Sequence, residues 1–155
     1  MGKIDDRLKE LNITLNEPAA PVANYVGYVI TGNLVFISGQ VTFGPDGNLL
    51  YQGIVGSDIS VEEAQRAARV CGINILAQVK AACDGDLDRV VRCVKLGGFV
   101  NAVPGFENHP AVINGASDLM VEVFGDKGKH ARFAMGAGSL PVNVSVEVDA
   151  VFEIS

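Results

Sequence analysis

The stretch from Val144 to Ile154 constrains the fold more than any other part of the chain. Val144, Val146, Val148, Ala150, Phe152 and Ile154 fall on one side of a period-two pattern, with Ser145, Glu147, Asp149 and Glu153 on the other. That alternation describes a half-buried β-strand. A strand of this kind needs paired neighbours and a layer to cover its apolar face. Four other runs can supply the neighbours. The runs 25–30 and 34–40 flank a Gly32-Asn33 turn and read as a hairpin. The second of them is apolar on both faces, which suits a central strand or one buried by assembly. A third run spans 89–101, with a bulge expected at Gly97-Gly98. A fourth spans 131–137 and leads through Leu140-Pro141-Val142-Asn143 into the last strand.

Two long helices provide the cover. Ser60-Val61-Glu62-Glu63 has the Ser-x-x-Glu form of a capping box. Ala64, Ala68, Cys71, Ile75, Val79 and Ala82 then repeat at helical steps toward Gly85. This stripe is rich in small residues, so the helix is expected to lie close against a sheet. Pro110 suits the first turn of a second helix, whose stripe is Val112, Ala116, Leu119, Met120, Val123 and Phe124 and whose stop is Gly125. Ile4, Leu8 and Leu11 give one edge of a short helix that Pro18 and Pro21 end. The division expected is an N-terminal helical extension over 1–18 and a single domain over 19–155. The order is ββαβαββ, an α+β fold with a mixed sheet and two helices on one face.

The chain has 155 residues, of which 48% are hydrophobic and 19% charged, with a mean hydropathy of +0.28. That balance excludes disorder and leaves more apolar surface than a monomer needs, so a closed homo-oligomer is expected. A net charge of −6 and a pI of about 4.8 disfavour nucleic acid as a partner. Cys71, Cys83 and Cys93 cannot all pair, and their spacing fits neither a zinc nor a redox motif. Buried thiols in a reducing compartment follow, and a cytoplasmic location is expected. No apolar run approaches the ~18 residues that a membrane span needs.

Metal chemistry has little to stand on: His109 and His130 are the only histidines, and neither has a ligand-like spacing. No base is placed beside a cysteine, and the glycines of Met135-Gly136-Ala137-Gly138 lie in strand pattern rather than before a helix. Two residues stand out. Arg132 sits in an otherwise apolar strand, where its guanidinium either snorkels to water or binds a carboxylate bidentately. Glu147 lies on the polar face of the last strand, either solvated or chemically used. If the last two strands pair, Arg132 and Glu147 come near each other across a ladder and form a small hydrolytic site.

The chain also resembles a known family, the Rid superfamily, also called the YjgF/YER057c/UK114 family. The resemblance runs from about Ala20 to Ile154. It is carried by Tyr25, by Gly32-Asn33 leading to Ser38-Gly39-Gln40, by the helix from Ser60 and by Asn114. Ala131-Arg132, Leu140-Pro141 and Val146-Glu147-Val148-Asp149-Ala150 complete it. The N-terminal helix and the segment 113–132 are most similar to a longer subgroup.

The resemblance implies a chorismate-mutase-like fold of the bacillus type and homotrimers with ligand clefts between subunits. It implies hydrolysis of small enamines and imines, of the 2-aminoacrylate type, to 2-oxo acids and ammonia. By position, Arg132 would pair with the substrate carboxylate and Glu147 would hold or relay the proton of the attacking water. Tyr25 and Ser38 would line the cleft, with Asn114 as a further polar contact. Ala134 stands where many deaminases have cysteine and would offer a backbone N–H. Ala23-Asn24-Tyr25 also replaces the frequent Gly-Pro-Tyr. No metal or organic cofactor is implied. The alternatives are a non-catalytic binder of small carboxylates and the endoribonuclease activity attributed to some members. The acidic charge and the scarcity of aromatic residues weigh against the latter.

Overall fold

The computed structural model describes residues 2–155. In chain order the elements are α1 (Lys3–Glu10), β1 (Tyr28–Thr31), β2 (Leu34–Gln40), α2 (Val61–Ala82), β3 (Val90–Asn101), α3 (His109–Phe124), β4 (Ala131–Ala137) and β5 (Val146–Ile154). After α1 this is the ββαβαββ order, and the five strands form one mixed sheet ordered β1-β2-β5-β3-β4.

Local sequence sets the element ends. Gly32 turns the β1–β2 hairpin at φ +59°. The capping box of α2 is formed in both directions, with the Glu63 amide donating to Ser60 Oγ at 3.1 Å and the Ser60 amide donating to Glu63 Oε2 at 2.8 Å. Pro110 occupies the first turn of α3, and Gly125 ends it at φ +63°. The short α1 has no cap of its own. Instead the Asp88 carboxylate accepts the Lys3 and Ile4 amides, each at 2.9 Å, and Lys80 pairs with Asp5 at 2.8 Å.

The core lies between the sheet and the layer formed by α2 and α3. Val146, Val148, Ala150, Phe152 and Ile154 of β5 all point into it and are at most 5% exposed. The helices approach each other closely as well as the sheet. A methyl group on Gly72 of α2 would stand 2.8 Å from Leu119 of α3, and one on Gly115 would collide with the Gln65 carbonyl. The same methyl on Gly115 would stand 3.2 Å from Ala68 Cβ, so part of the small-residue stripe serves helix–helix contact rather than helix–sheet contact alone.

Three expectations are corrected. The bulges of β3 fall at Val91 and Val94, where the pairing with β5 shifts, and not at Gly97-Gly98. Those two glycines instead make room, since a Cβ on Gly98 would stand 2.5 Å from Ile113 of α3. The last strand begins at Val146, because residues 141–143 form a short 3-10 turn and Val144 makes only an isolated bridge with Gln52. Most important for the site, β4 and β5 are not neighbours. β4 is an edge strand parallel to β3, and β3 separates it from β5.

Candidate functional site

The sheet register shows where the two singled-out charges stand. Arg132 is opposite Leu96, which is opposite Ala150; Glu147 is opposite Phe99, which is opposite Met135. The two are thus two strands and three residues apart. With strands ~4.8 Å apart and a rise of ~3.3 Å per residue, their backbones are about 14 Å apart. The odd offset also places them on opposite faces of the sheet. Arg132 shares the helix-covered face with Leu96 and Ala150, whereas Glu147 lies on the other. The expected Arg132–Glu147 ladder contact does not exist within one chain, because β3 intervenes.

Glu147 belongs to a cavity of about 640 Å³, which Tyr25, Ser38, Gln40, Asn74 and Gln78 also line. Its carboxylate covers the missing side chain of Gly39, where a Cβ would stand 2.8 Å from Oε1. Burial, and next the charge of Asp149 two residues along the same face, hold the Glu147 carboxyl above the usual carboxylate range. Asp149 is itself raised by burial, offset by the Gly97 amide and the charge of Lys95. Ser38, which lines the cavity, donates its Oγ hydrogen to the Val26 carbonyl at 2.6 Å. Tyr25 stands exposed just before β1.

The wall opposite β2 is built by two amides of α2. Asn74 Nδ2 donates to the Val41 and Phe43 carbonyls, each at 3.0 Å, and its Oδ1 accepts from Asn16 at 3.2 Å. Gln78 Nε2 donates to the Ala19 carbonyl at 3.3 Å. The bonds to Asn16 and Ala19 tie down the irregular segment before β1, and those to Val41 and Phe43 the segment after β2, and both segments line the cavity. Asn74 and Gln78 are four residues apart, so two amides on one buried helix face were the signal available in the sequence.

Arg132 belongs to a second, more open cavity of about 270 Å³ that Ser117, Asp118, Val121, Lys129 and His130 complete. Its Nη1 donates to Asn114 Oδ1 at 2.7 Å and to Ser117 Oγ at 3.2 Å. Ser117 in turn bonds His130 Nε2 at 2.9 Å, and His130 Nδ1 bonds the Gly128 carbonyl at 2.6 Å. Of the expected residues, Arg132 and Asn114 are thus together here, with Ala134 next along the same face of β4. Tyr25, Ser38 and Glu147 are together in the first cavity. Ser117 and His130 were missed, although Asn114-x-x-Ser117 on a helix and His130-x-Arg132 at a strand start each put two polar groups on one side.

The constellation expected of the chain is thus divided: a cation held by neutral acceptors lies in one cavity, and a partly buried carboxylate beside a hydroxyl in the other. Among the described residues, no three His, Cys, Asp or Glu side chains converge as a metal-ligand group. No helix among them is long and apolar enough to cross a membrane.

Comparison with known proteins gives a family match over residues 5–154, to the model described as "YjgF/chorismate_mutase-like, putative endoribonuclease". Protein TCP17 of Trypanosoma cruzi is 44% identical over 155 residues, covering 99% of this chain and 96% of the relative. The crystal structure of Atu1372 from Agrobacterium tumefaciens has a TM-score of 0.90 at 52% identity, covering 98% of this chain and 94% of that one. A Shewanella oneidensis protein, whose structure is described as that of a "putative endoribonuclease", has a TM-score of 0.94 at 36% identity. It covers 99% of this chain and all (100%) of the other.

Proposed function

The chain belongs to the YjgF/YER057c/UK114 (Rid) family, with its chorismate-mutase-like fold, and from that premise we propose that it hydrolyses small carboxylated imines and enamines to 2-oxo acids and ammonia. The observation that carries the reading is the division of the constellation into two half-sites on opposite sheet faces. A cleft between two copies of the chain would unite Arg132 of one with Glu147 of the next. The sheet face away from the helices supports such an assembly, since Val29, Phe36 and Met135 on it are 53%, 45% and 48% exposed. A homotrimer is the closed ring proposed. Three buried free thiols fit a reducing, cytoplasmic setting.

The chemistry asks for an anchor and a proton carrier. Arg132 would hold the substrate carboxylate, fixing the imine carbon over the Glu147 carboxylate. Glu147 would accept a proton from water as its oxygen adds to the imine carbon. That proton would pass to nitrogen to give the carbinolamine, and the remaining hydroxyl proton would then follow through the same carboxylate to nitrogen as the C=O forms and the C–N bond breaks, leaving the 2-oxo acid and ammonia. A carboxyl held above its usual range serves both halves better than a fully solvated one. Ser38 and Tyr25 would bound the cleft. RNA fits less well, because a net charge of −6 repels a phosphate backbone.

The test is to generate 2-aminoacrylate in place and follow the decay of the imine absorbance. The wild type is expected to accelerate decay, and Arg132→Ala and Glu147→Ala each to lose at least ~100-fold, the usual scale for removing a proton carrier or an anchor. Absence of acceleration by the wild type across several imino acids would overturn the reading.

A further inference from the structure

The groups behind Arg132 carry an inference that deepens the proposed reading and rests on it. A carbonyl oxygen can only accept, so the 2.6 Å bond from His130 Nδ1 to Gly128 O places a hydrogen on Nδ1. In the neutral ring Nε2 is then an acceptor, and Ser117 Oγ must donate to it across 2.9 Å. That turns the lone pairs of Ser117 toward Arg132, whose Nη1 donates to them at 3.2 Å. Asn114 Oδ1 takes the other Nη1 hydrogen at 2.7 Å. Nη1 has two hydrogens and both are occupied. Of the five donors of a guanidinium, the three on Nε and Nη2 remain for a ligand.

We propose that Ser117 and His130 are positioning residues for the anion anchor: with the Gly128 carbonyl they form a hydrogen-bonded chain that occupies Arg132 Nη1 and presents the Nε–Nη2 edge to the substrate carboxylate. The three parts come from separate elements. Ser117 is one turn after Asn114 on α3, His130 precedes β4, and Arg132 lies two residues further, on the edge strand. A guanidinium on an exposed edge otherwise loses much of its rotamer freedom only when ligand arrives; one already fixed at Nη1 binds with less ordering cost. The free edge is planar and two-pronged, which matches the two oxygens of a carboxylate. Lys129 and Asp118 at the same cavity set the local field, and they do not enter the chain of bonds.

The experiment compares wild type, Ser117→Ala, Ser117→Thr, His130→Ala and Arg132→Ala as full-length assembled protein. Binding of 2-oxobutanoate is measured by calorimetry, and the Arg132 guanidinium is followed by nitrogen-15 NMR. Ser117→Ala and His130→Ala are expected to weaken binding about tenfold, the scale of one charge-assisted hydrogen bond. They are also expected to raise KM more than they lower kcat. Ser117→Thr, which keeps the hydroxyl, is expected to recover most of the affinity, and Arg132→Ala to abolish binding. In the wild type the Nη1 hydrogens should be resolved and slowly rotating, and that signature should vanish in Ser117→Ala. Affinity within twofold of wild type in both alanine variants would overturn the proposal, as would a guanidinium signature unchanged in Ser117→Ala. If the wild type neither binds 2-oxobutanoate nor turns over imines, the proposed function fails, while the NMR comparison still decides whether Ser117 and His130 fix the guanidinium.

Discussion

At the scale of single residues, the least replaceable feature is the neighbourhood of Glu147. A carboxylate on the solvated face of a strand would titrate in its ordinary range and be a weak base at neutral pH. Here burial and then the charge of Asp149 raise it. In the proposed reaction Glu147 takes a proton from water only when ionised, so kcat/KM is expected to rise with pH through the raised value and then level. Removing the negative charge at position 149 removes one of the two causes of the shift. Asp149→Asn is therefore expected to move the acid limb of the profile to lower pH and to reduce the rate above it, because a weaker base is left. Deaminase rates from pH 4 to 8 check this, and an acid limb that stays in place would separate Asp149 from the chemistry. Gly39 matters for a steric reason at the same spot. Any side chain there would push against the Glu147 carboxylate, 2.8 Å from where a Cβ would sit.

At the scale of elements, the decisive feature is the path from β4 to β5. The chain leaves β4 at Ala137, level with Asn101 at the end of β3, and must cross that end to return as β5 on the far side. Asn101 is 2% exposed and fastens the crossing. Its amide donates to the Ser145 carbonyl at 2.9 Å, and its Nδ2 donates to the Val144 carbonyl at 3.1 Å and to Asn143 Oδ1 at 3.3 Å. The turn itself needs positive φ at Val142 and Asn143, +49° and +54°. Asn101→Ala is expected to cost about 1–3 kcal/mol, since it strands the buried Val144 carbonyl, which water cannot reach. Urea denaturation at fixed protein concentration measures it, with a lowered midpoint and an unchanged slope as the expected result. This crossing is also where sequence reasoning stopped. The α2 capping box, the stripe of α3 and the alternation of β5 are local patterns and were readable. Strand adjacency is not local: a short link between two strands suggests a hairpin, and only the long-range pairing of β3 with both reveals a strand between them. For the site, strand pattern singled out Arg132 and Glu147 and family likeness added Tyr25, Ser38 and Asn114, but their grouping into two cavities was not legible. Ser117 and His130 left only a local spacing in the sequence, because what links them is a chain of bonds joining a helix to a loop.

At the scale of the whole molecule, the proposed function makes one chain chemically incomplete, because Arg132 and Glu147 lie on opposite faces of the sheet. Helices cover one sheet face, and on the other Val29, Phe36 and Met135 stand exposed, so the same surface that invites a second copy borders the Glu147 half-site. In the proposed ring each cleft takes Arg132 from one chain and Glu147 from its neighbour. That arrangement has a consequence that a site within one chain cannot share. Arg132→Ala and Glu147→Ala are each expected to be inactive alone. When the two are unfolded together and reassembled, every cleft draws its arginine and its carboxylate from independent chains, each intact half the time. About a quarter of the wild-type activity is then expected to return, from random mixing in a closed cyclic ring. Mixing the two folded variants without dissociation should return none at first and gain activity only as subunits exchange. Light scattering on the same samples follows the size of the assembly, so restored activity can be matched to formation of mixed rings. Full reassembly with no recovery would mean that Arg132 and Glu147 never meet across an interface, and the cleft between subunits would have to be abandoned.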